Sequence, residues 1–157
     1  MCIFLSASAQ RNSGRLSLGA GLLYKNGAEM TLAYEHEMNY RHIWEFFANG
    51  YLQWSDCRIC GHICPESFWK NYRTWGIGAA YKPCVIRGRN HYGSLRLGAS
   101  GGSDTEKFVA GIHLGYEHSY VLRSGWTFYW QVKNDVIIRG ADLFRTGVAL
   151  GIKLPIK

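Results

Sequence analysis

No apolar run in this chain approaches the roughly 18 residues that a membrane-spanning helix needs, and the mean hydropathy is only −0.16. A helical anchor is excluded, but a membrane β-barrel is not, because its signal is alternation and not mean hydropathy. Heptads, low-complexity tracts and any helical period of useful length are also missing, which removes coiled coils and helical bundles. Prolines number 3. What is present is apolar and aromatic, 47% and 15% of the 157 residues, too much for a disordered chain and enough for one domain with a real core.

Alternation recurs in segments of about ten residues separated by turn residues. Leu16, Leu18, Ala20, Leu22 and Tyr24 share one face, against Arg15, Ser17, Gly19 and Gly21. Lys25-Asn26-Gly27 then supplies a hairpin turn. Seven further segments follow the rule, with a long connection from Ser55 to Arg73, and the last is the cleanest: Thr146, Val148, Leu150, Ile152 and Leu154 alternate with Arg145, Gly147, Ala149, Gly151 and Lys153. Together they make eight. The expected fold is all-β, an eight-stranded antiparallel up-and-down barrel of the small outer-membrane type, since closure removes both unpaired edges.

Side-chain size decides which face points inward. An eight-stranded interior is only just wide enough for side chains, so Gly, Ala, Ser and a few charges suit it, whereas the Trp, Phe, Leu and Ile of the other face would overfill it. The bulky face is therefore expected outside, in lipid. Tyr24, Tyr34, Trp44, Trp54, Trp75, Tyr81, Tyr116 and Trp126 lie on it near strand ends, where interfacial aromatics sit. Inverting the faces gives the alternative, a soluble lipocalin-like barrel around an apolar ligand. Lumenal charges need partners. Up-and-down order groups Glu35, Glu45 and Glu117 with Arg15, Lys82 and Lys153 near one end, and Glu29 with Lys107, Lys133 and Arg145 near the other, which predicts a plugged barrel.

Residues 1–9 end in Ala7-Ser8-Ala9, the small-residue pattern of a signal-peptide cleavage site. We read 1–9 as the remnant of a secretory signal and 10–157 as a single transmembrane barrel domain, exported to the outer membrane of a Gram-negative bacterium. Cys57, Cys60, His62 and Cys64 form C-x2-C-x-H-x-C in the longest connection. That set could wrap Zn²⁺, but an oxidising compartment favours a disulfide, so no metal or cofactor is expected. Cys84 is placed in the connection after the fourth strand, at the opposite end.

Six histidines are scattered, none beside a Ser or carboxylate in a catalytic motif. His113, on the lumenal face, reads as a hydrogen-bonded filler. The expectation is a non-enzyme; a membrane-barrel enzyme acting on lipids would instead bring Ser, His and Asp together at one rim. The net charge of +7 suits lipid head groups as well as nucleic acid. With the bases spread over turns and strands, no direct nucleic-acid binding is expected. The segment Ser55–Arg73, with Trp69 and Tyr72, is the expected partner surface.

The terminal strand, Phe144-Arg145-Thr146-Gly147-Val148-Ala149-Leu150-Gly151-Ile152-Lys153-Leu154, together with Tyr116-Glu117-His118 leading into a turn, resembles the conjugative transposon TraO family of outer-membrane proteins. Gly115 to Lys157 carry the similarity, and the front half and the cysteine-rich segment depart from the family. The resemblance implies a role in conjugative DNA transfer, with other conjugation proteins as partners. It carries over no catalytic residues.

Overall fold

The computed structural model describes residues 14–24, 26–54, 73–104, 106–140 and 143–156. Its strands are β1 (Gly14–Leu23), β2 (Gly27–Glu37), β3 (Ile43–Gln53), β4 (Arg73–Lys82), β5 (Cys84–Arg87), β6 (His91–Ser103), β7 (Phe108–Val121), β8 (Thr127–Ile138) and β9 (Phe144–Ile156). Apart from β4 and β5, each pairs antiparallel with its sequence neighbours; β9 returns to β1, and both β4 and β5 pair with β6. Pro83 separates β4 from β5 because it offers no N–H to the ladder. Tyr81↔Leu97 and Cys84↔Ser94 nonetheless lie in one register, and only a bulge between Cys84 and Ile86 shifts it. β5 thus continues β4, and the fold is a closed eight-stranded antiparallel barrel. The connection expected to hold Cys84 is this strand extension, where the thiol is buried and contacts Ile86 O at 3.3 Å.

Following paired residues around the wall, from Gly14 through His36, Trp44, Tyr81, Leu97, Leu114, Asn134 and Thr146, leads back to β1 at Tyr24, whose N–H donates to Thr146 O at 2.8 Å. The circuit returns ten residues further along β1. With eight strands, that stagger tilts them by about 40° and leaves a lumen that side chains can fill.

The bulky face is outside. Leu18, Leu22, Met30, Leu32, Phe46, Ile77, Leu114, Val132, Val148 and Leu150 are all exposed, forming a continuous apolar belt that no water-soluble monomer carries. The lipocalin-like alternative is ruled out by this orientation, since its apolar side chains would point inward. Aromatic and imidazole rings rim the belt at the end where Gly14 and Ile156 lie. Tyr116, His118 and Trp130 pack there, with a 2.8 Å hydrogen bond between Tyr116 Oη and His118 Nδ1 and a stacked His118–Trp130 pair; Trp44 and Tyr81 meet across β3 and β4 at 5.3 Å. These rings have the apolar body and polar tip that the membrane–water boundary favours.

The core of this protein is its lumen, and it holds more than small side chains. Tyr129, Tyr92, Tyr51 and Phe47 are buried there. Glycines opposite make the space: a Cβ on Gly19 would collide with Tyr129 Oη, and one on Gly151 would lie 2.5 Å from the same ring.

Candidate functional site

Strand alternation sends every second residue inward, so the charged lumen follows directly from parity. Among the described residues, five carboxylates (Glu29, Glu35, Glu45, Glu117, Asp135) and five cations (Lys82, Arg96, Lys133, Arg145, Lys153) are buried inside, with His113. The interior charges balance. That balance is needed because an unpaired charge in so dry a space is worth several kcal/mol of destabilisation.

The charges form a stack along the barrel axis. At the end where Gly14 and Ile156 lie, Arg15 pairs with Glu37 and donates to Tyr92 Oη at 2.9 Å. Above it, Lys82 Nζ sits among three carboxylates: Glu35 and Glu117 at 2.6 Å each, and Glu45. Lys153 joins the group through Glu35 at 2.9 Å and through Glu117. Three converging carboxylates resemble a metal donor set, but here the Lys82 ammonium fills the centre. Arg96 then grips Glu45 through two nitrogens, at 2.8 and 2.7 Å, with its guanidinium over Phe47.

Toward the opposite mouth, where β3 gives way to segment 55–72, Lys133 bridges Glu29 at 2.5 Å and Asp135 at 2.8 Å. Arg145 lies over the Tyr51 ring at 3.8 Å and donates to Thr74 Oγ1 at 2.9 Å. Between these layers, near Glu45, Arg96 and Tyr129, a void of about 10 Å³ remains, room for about one water.

The expected pairs differ from this network in three respects. Arg15 does not join the Glu35–Glu45–Glu117 group but serves Glu37, one residue pair nearer the mouth. Lys107 is not lumenal: it is exposed in the turn between β6 and β7, where its N–H donates to Asp104 Oδ1 at 2.7 Å. That bond, with another from the Glu106 N–H, holds the Asp104 carboxyl below its ordinary pKa. Arg96 and Asp135 belong to the stack and are not among its expected members. Arg96 is legible from its inward parity, and Asp135 from extending the seventh segment past Lys133 to Ile138. Cys57, Cys60, His62, Cys64, Trp69 and Tyr72 lie outside the described residues.

A further contact adjoins the Lys133 layer through Asp135. Ser100 Oγ is 2.7 Å from His113 Nε2, and His113 Nδ1 is 2.8 Å from Asp135 Oδ1, although the ring does not aim its N–H squarely at that oxygen. Phe47 packs edge-on against the imidazole at 5.0 Å.

A filled, charge-balanced lumen within a lipid-facing barrel defines the class: a small outer-membrane-type β-barrel. No known family profile matches the chain, and no curated protein does. Solved structures do. The major outer membrane protein of Thermus thermophilus superposes with a TM-score of 0.62 at 10% identity, over 92% of this chain and 99% of that one. The Yersinia pestis outer membrane protein Ail gives 0.61 at 12% identity, over 92% and 99%. A de novo designed transmembrane β-barrel gives 0.54 at 8% identity, over 92% and 96%. A designed barrel in this company makes the likeness one of architecture, and function has to be argued from the site.

Proposed function

We propose that this protein resides in the outer membrane of a Gram-negative bacterium, two of its structural neighbours being outer membrane proteins by name, and acts there through its surface as a structural or interaction component of a conjugative DNA transfer apparatus. The observation that carries the reading is the lumen. Balanced ion pairs and buried tyrosines fill it, so the barrel is an anchor whose outward segments do the work, with no catalytic step assigned to it. The terminal-strand resemblance to the TraO family supports the conjugative setting, and the long connection 55–72, with Trp69 and Tyr72, is the partner surface this reading favours.

The test expresses the chain behind a complete signal peptide, fractionates the membranes, and compares boiled with unboiled samples on a denaturing gel. Outer-membrane recovery with a boiling-dependent mobility shift is expected. Transfer frequency from a deletion strain should then fall, and should fall partially when Cys57, Cys60 and Cys64 are replaced with Ser while the gel shift persists. Unchanged transfer in the deletion strain would remove the conjugative role.

A further inference from the structure

Beyond the anchoring role, the fold gathers cations that the sequence scatters: we infer that the turns 38–42, 88–90 and 122–126 form one arginine-lined arc that binds the phosphates of anionic glycerophospholipids in the periplasmic leaflet. The inference rests on the membrane placement proposed above and is independent of the conjugative setting. All three turns belong to the mouth where Gly14 and Ile156 lie. They are short, whereas the long connection 55–72 joins β3 to β4 at the other mouth, and short turns are the periplasmic pattern of membrane barrels.

Contacts between the turns join them into an arc. Tyr40 and Arg41 both take left-handed backbone, with φ of 62° and 59°, a conformation that is costly for side chains of this size. The bend carries the Arg41 guanidinium over the Tyr92 ring at 5.5 Å and to within 3.4 Å of Gly88 O, which ties the first turn to the second. Arg87 lies over the Tyr40 ring at 5.6 Å across the same junction. The Val121 N–H donates to Asn90 O at 2.8 Å and so ties the second turn to the third.

Two observations fix the chemistry of the partner. First, the charge of the arc is not neutralised within the described chain. Arg87, Arg89 and Arg123 are exposed, and none has a carboxylate partner among the described residues; Glu37, at the end of β2 beside the first turn, is taken by Arg15. All three are arginines, whose planar forks match phosphate oxygens two at a time. Second, the arc carries its own depth marker. Val85, Ile86, Leu122 and Trp126 are exposed beside the arginines, and the hydrocarbon boundary has to reach them if they are not to stand bare in water. The guanidiniums then lie just beyond that boundary, at the level of the head groups. A dissolved anion would answer the charge alone, and a nucleic acid would leave the apolar side chains uncovered. A lipid offers phosphate and acyl chain together, and anionic lipids offer the phosphate without a competing ammonium.

The experiment incubates the purified, detergent-folded barrel with equimolar dioleoylphosphatidylglycerol and dioleoylphosphatidylcholine and counts the retained lipids by native mass spectrometry. Phosphatidylglycerol should be retained in preference. Each of Arg87→Gln, Arg89→Gln and Arg123→Gln should lower the ratio by about fivefold, the weight of one cation beside an anionic surface, and the triple variant should hold the two lipids equally. Lys107→Gln combined with Arg139→Gln, which removes two exposed cations of the other mouth, should leave the ratio unchanged. The boiling-dependent gel shift must persist in each variant scored, and the single variants carry the test if the triple variant fails to fold. Equal retention of both lipids by the unmodified barrel, or a preference that survives the triple variant, overturns the inference and leaves the anchoring role standing. So does displacement of phosphatidylglycerol by an equal concentration of inorganic phosphate or of a short DNA duplex, which would assign the arc to a dissolved anion or to nucleic acid. Loss of the gel shift in the unmodified protein would instead remove the membrane placement, and the inference with it.

Discussion

Lys82 shows how one side chain can hold an interior together. Its ammonium is the shared partner of Glu35, Glu45 and Glu117, donated from three different strands. Replacing it with Met leaves three carboxylates converging in a dry space with Lys153 and Arg96 alone to balance them. We expect Lys82→Met to lower folding free energy by about 3–5 kcal/mol, read from urea titration of tryptophan fluorescence in phospholipid vesicles. Lys107→Met, at an exposed turn position, should change it by no more than about 0.5 kcal/mol. The contrast marks where residue-level reading of the sequence succeeds and where it stops. Parity places Glu29, Glu35, Glu45, Lys82, Glu117, Lys133, Arg145 and Lys153 inside, because alternation requires nothing more than a strand. Which charge meets which depends on stagger around the closed wall, and that is why parity alone groups Arg15 with the wrong carboxylates. Lys107 is misplaced for a different reason: it stands just before its strand begins, where parity no longer governs direction.

At the scale of elements, strand existence is plain in the sequence and strand ends are not. Pro83 reads locally as a stop, yet β5 resumes the same ladder beyond it, since a proline at a wall position costs one N–H and leaves the neighbouring pairs intact. The outward face of each strand makes a depth-dependent claim. Leu150 lies midway along β9 and is exposed, whereas Tyr24 is exposed at the end of β1. Leu150→Arg should therefore cost about 2–4 kcal/mol of folding free energy in vesicles and Tyr24→Arg about 0–1; equal costs would mean that the belt is not where the apolar face puts it. Turns add a pH-sensitive detail. Asp104 accepts from the Lys107 and Glu106 N–H groups, its pKa is lowered in the folded turn, and so its contribution is complete above the ordinary carboxylate range and is lost as pH falls through the folded value. The amide resonances of Lys107 and Glu106 should shift together on acidification, and should no longer do so in Asp104→Ala.

For the whole molecule, eight strands and a ten-residue stagger allow one kind of interior. The wall is too narrow to enclose an aqueous channel, and the tyrosines lying across glycine pairs close what the ion pairs leave. The same narrowness explains why the Ser100–His113–Asp135 contact escapes the sequence: its members are separated along the chain and become neighbours only when β6, β7 and β8 take their register, so no local motif announces them. It also separates two kinds of lumen that alternation cannot tell apart, one bearing fixed charges around water and one with the charges neutralising each other. Only the second fits the distances between Lys82, Lys153 and their carboxylates. Reconstituted in a planar bilayer, the folded protein should therefore show no stable conductance steps under applied voltage, and Arg96→Ala should reduce the urea midpoint without producing them, because Phe47 and Tyr129 still span the section. Steady, voltage-independent openings from the unmodified barrel would show that the charge stack parts to admit water, and the anchoring role would then give way to transport through the lumen.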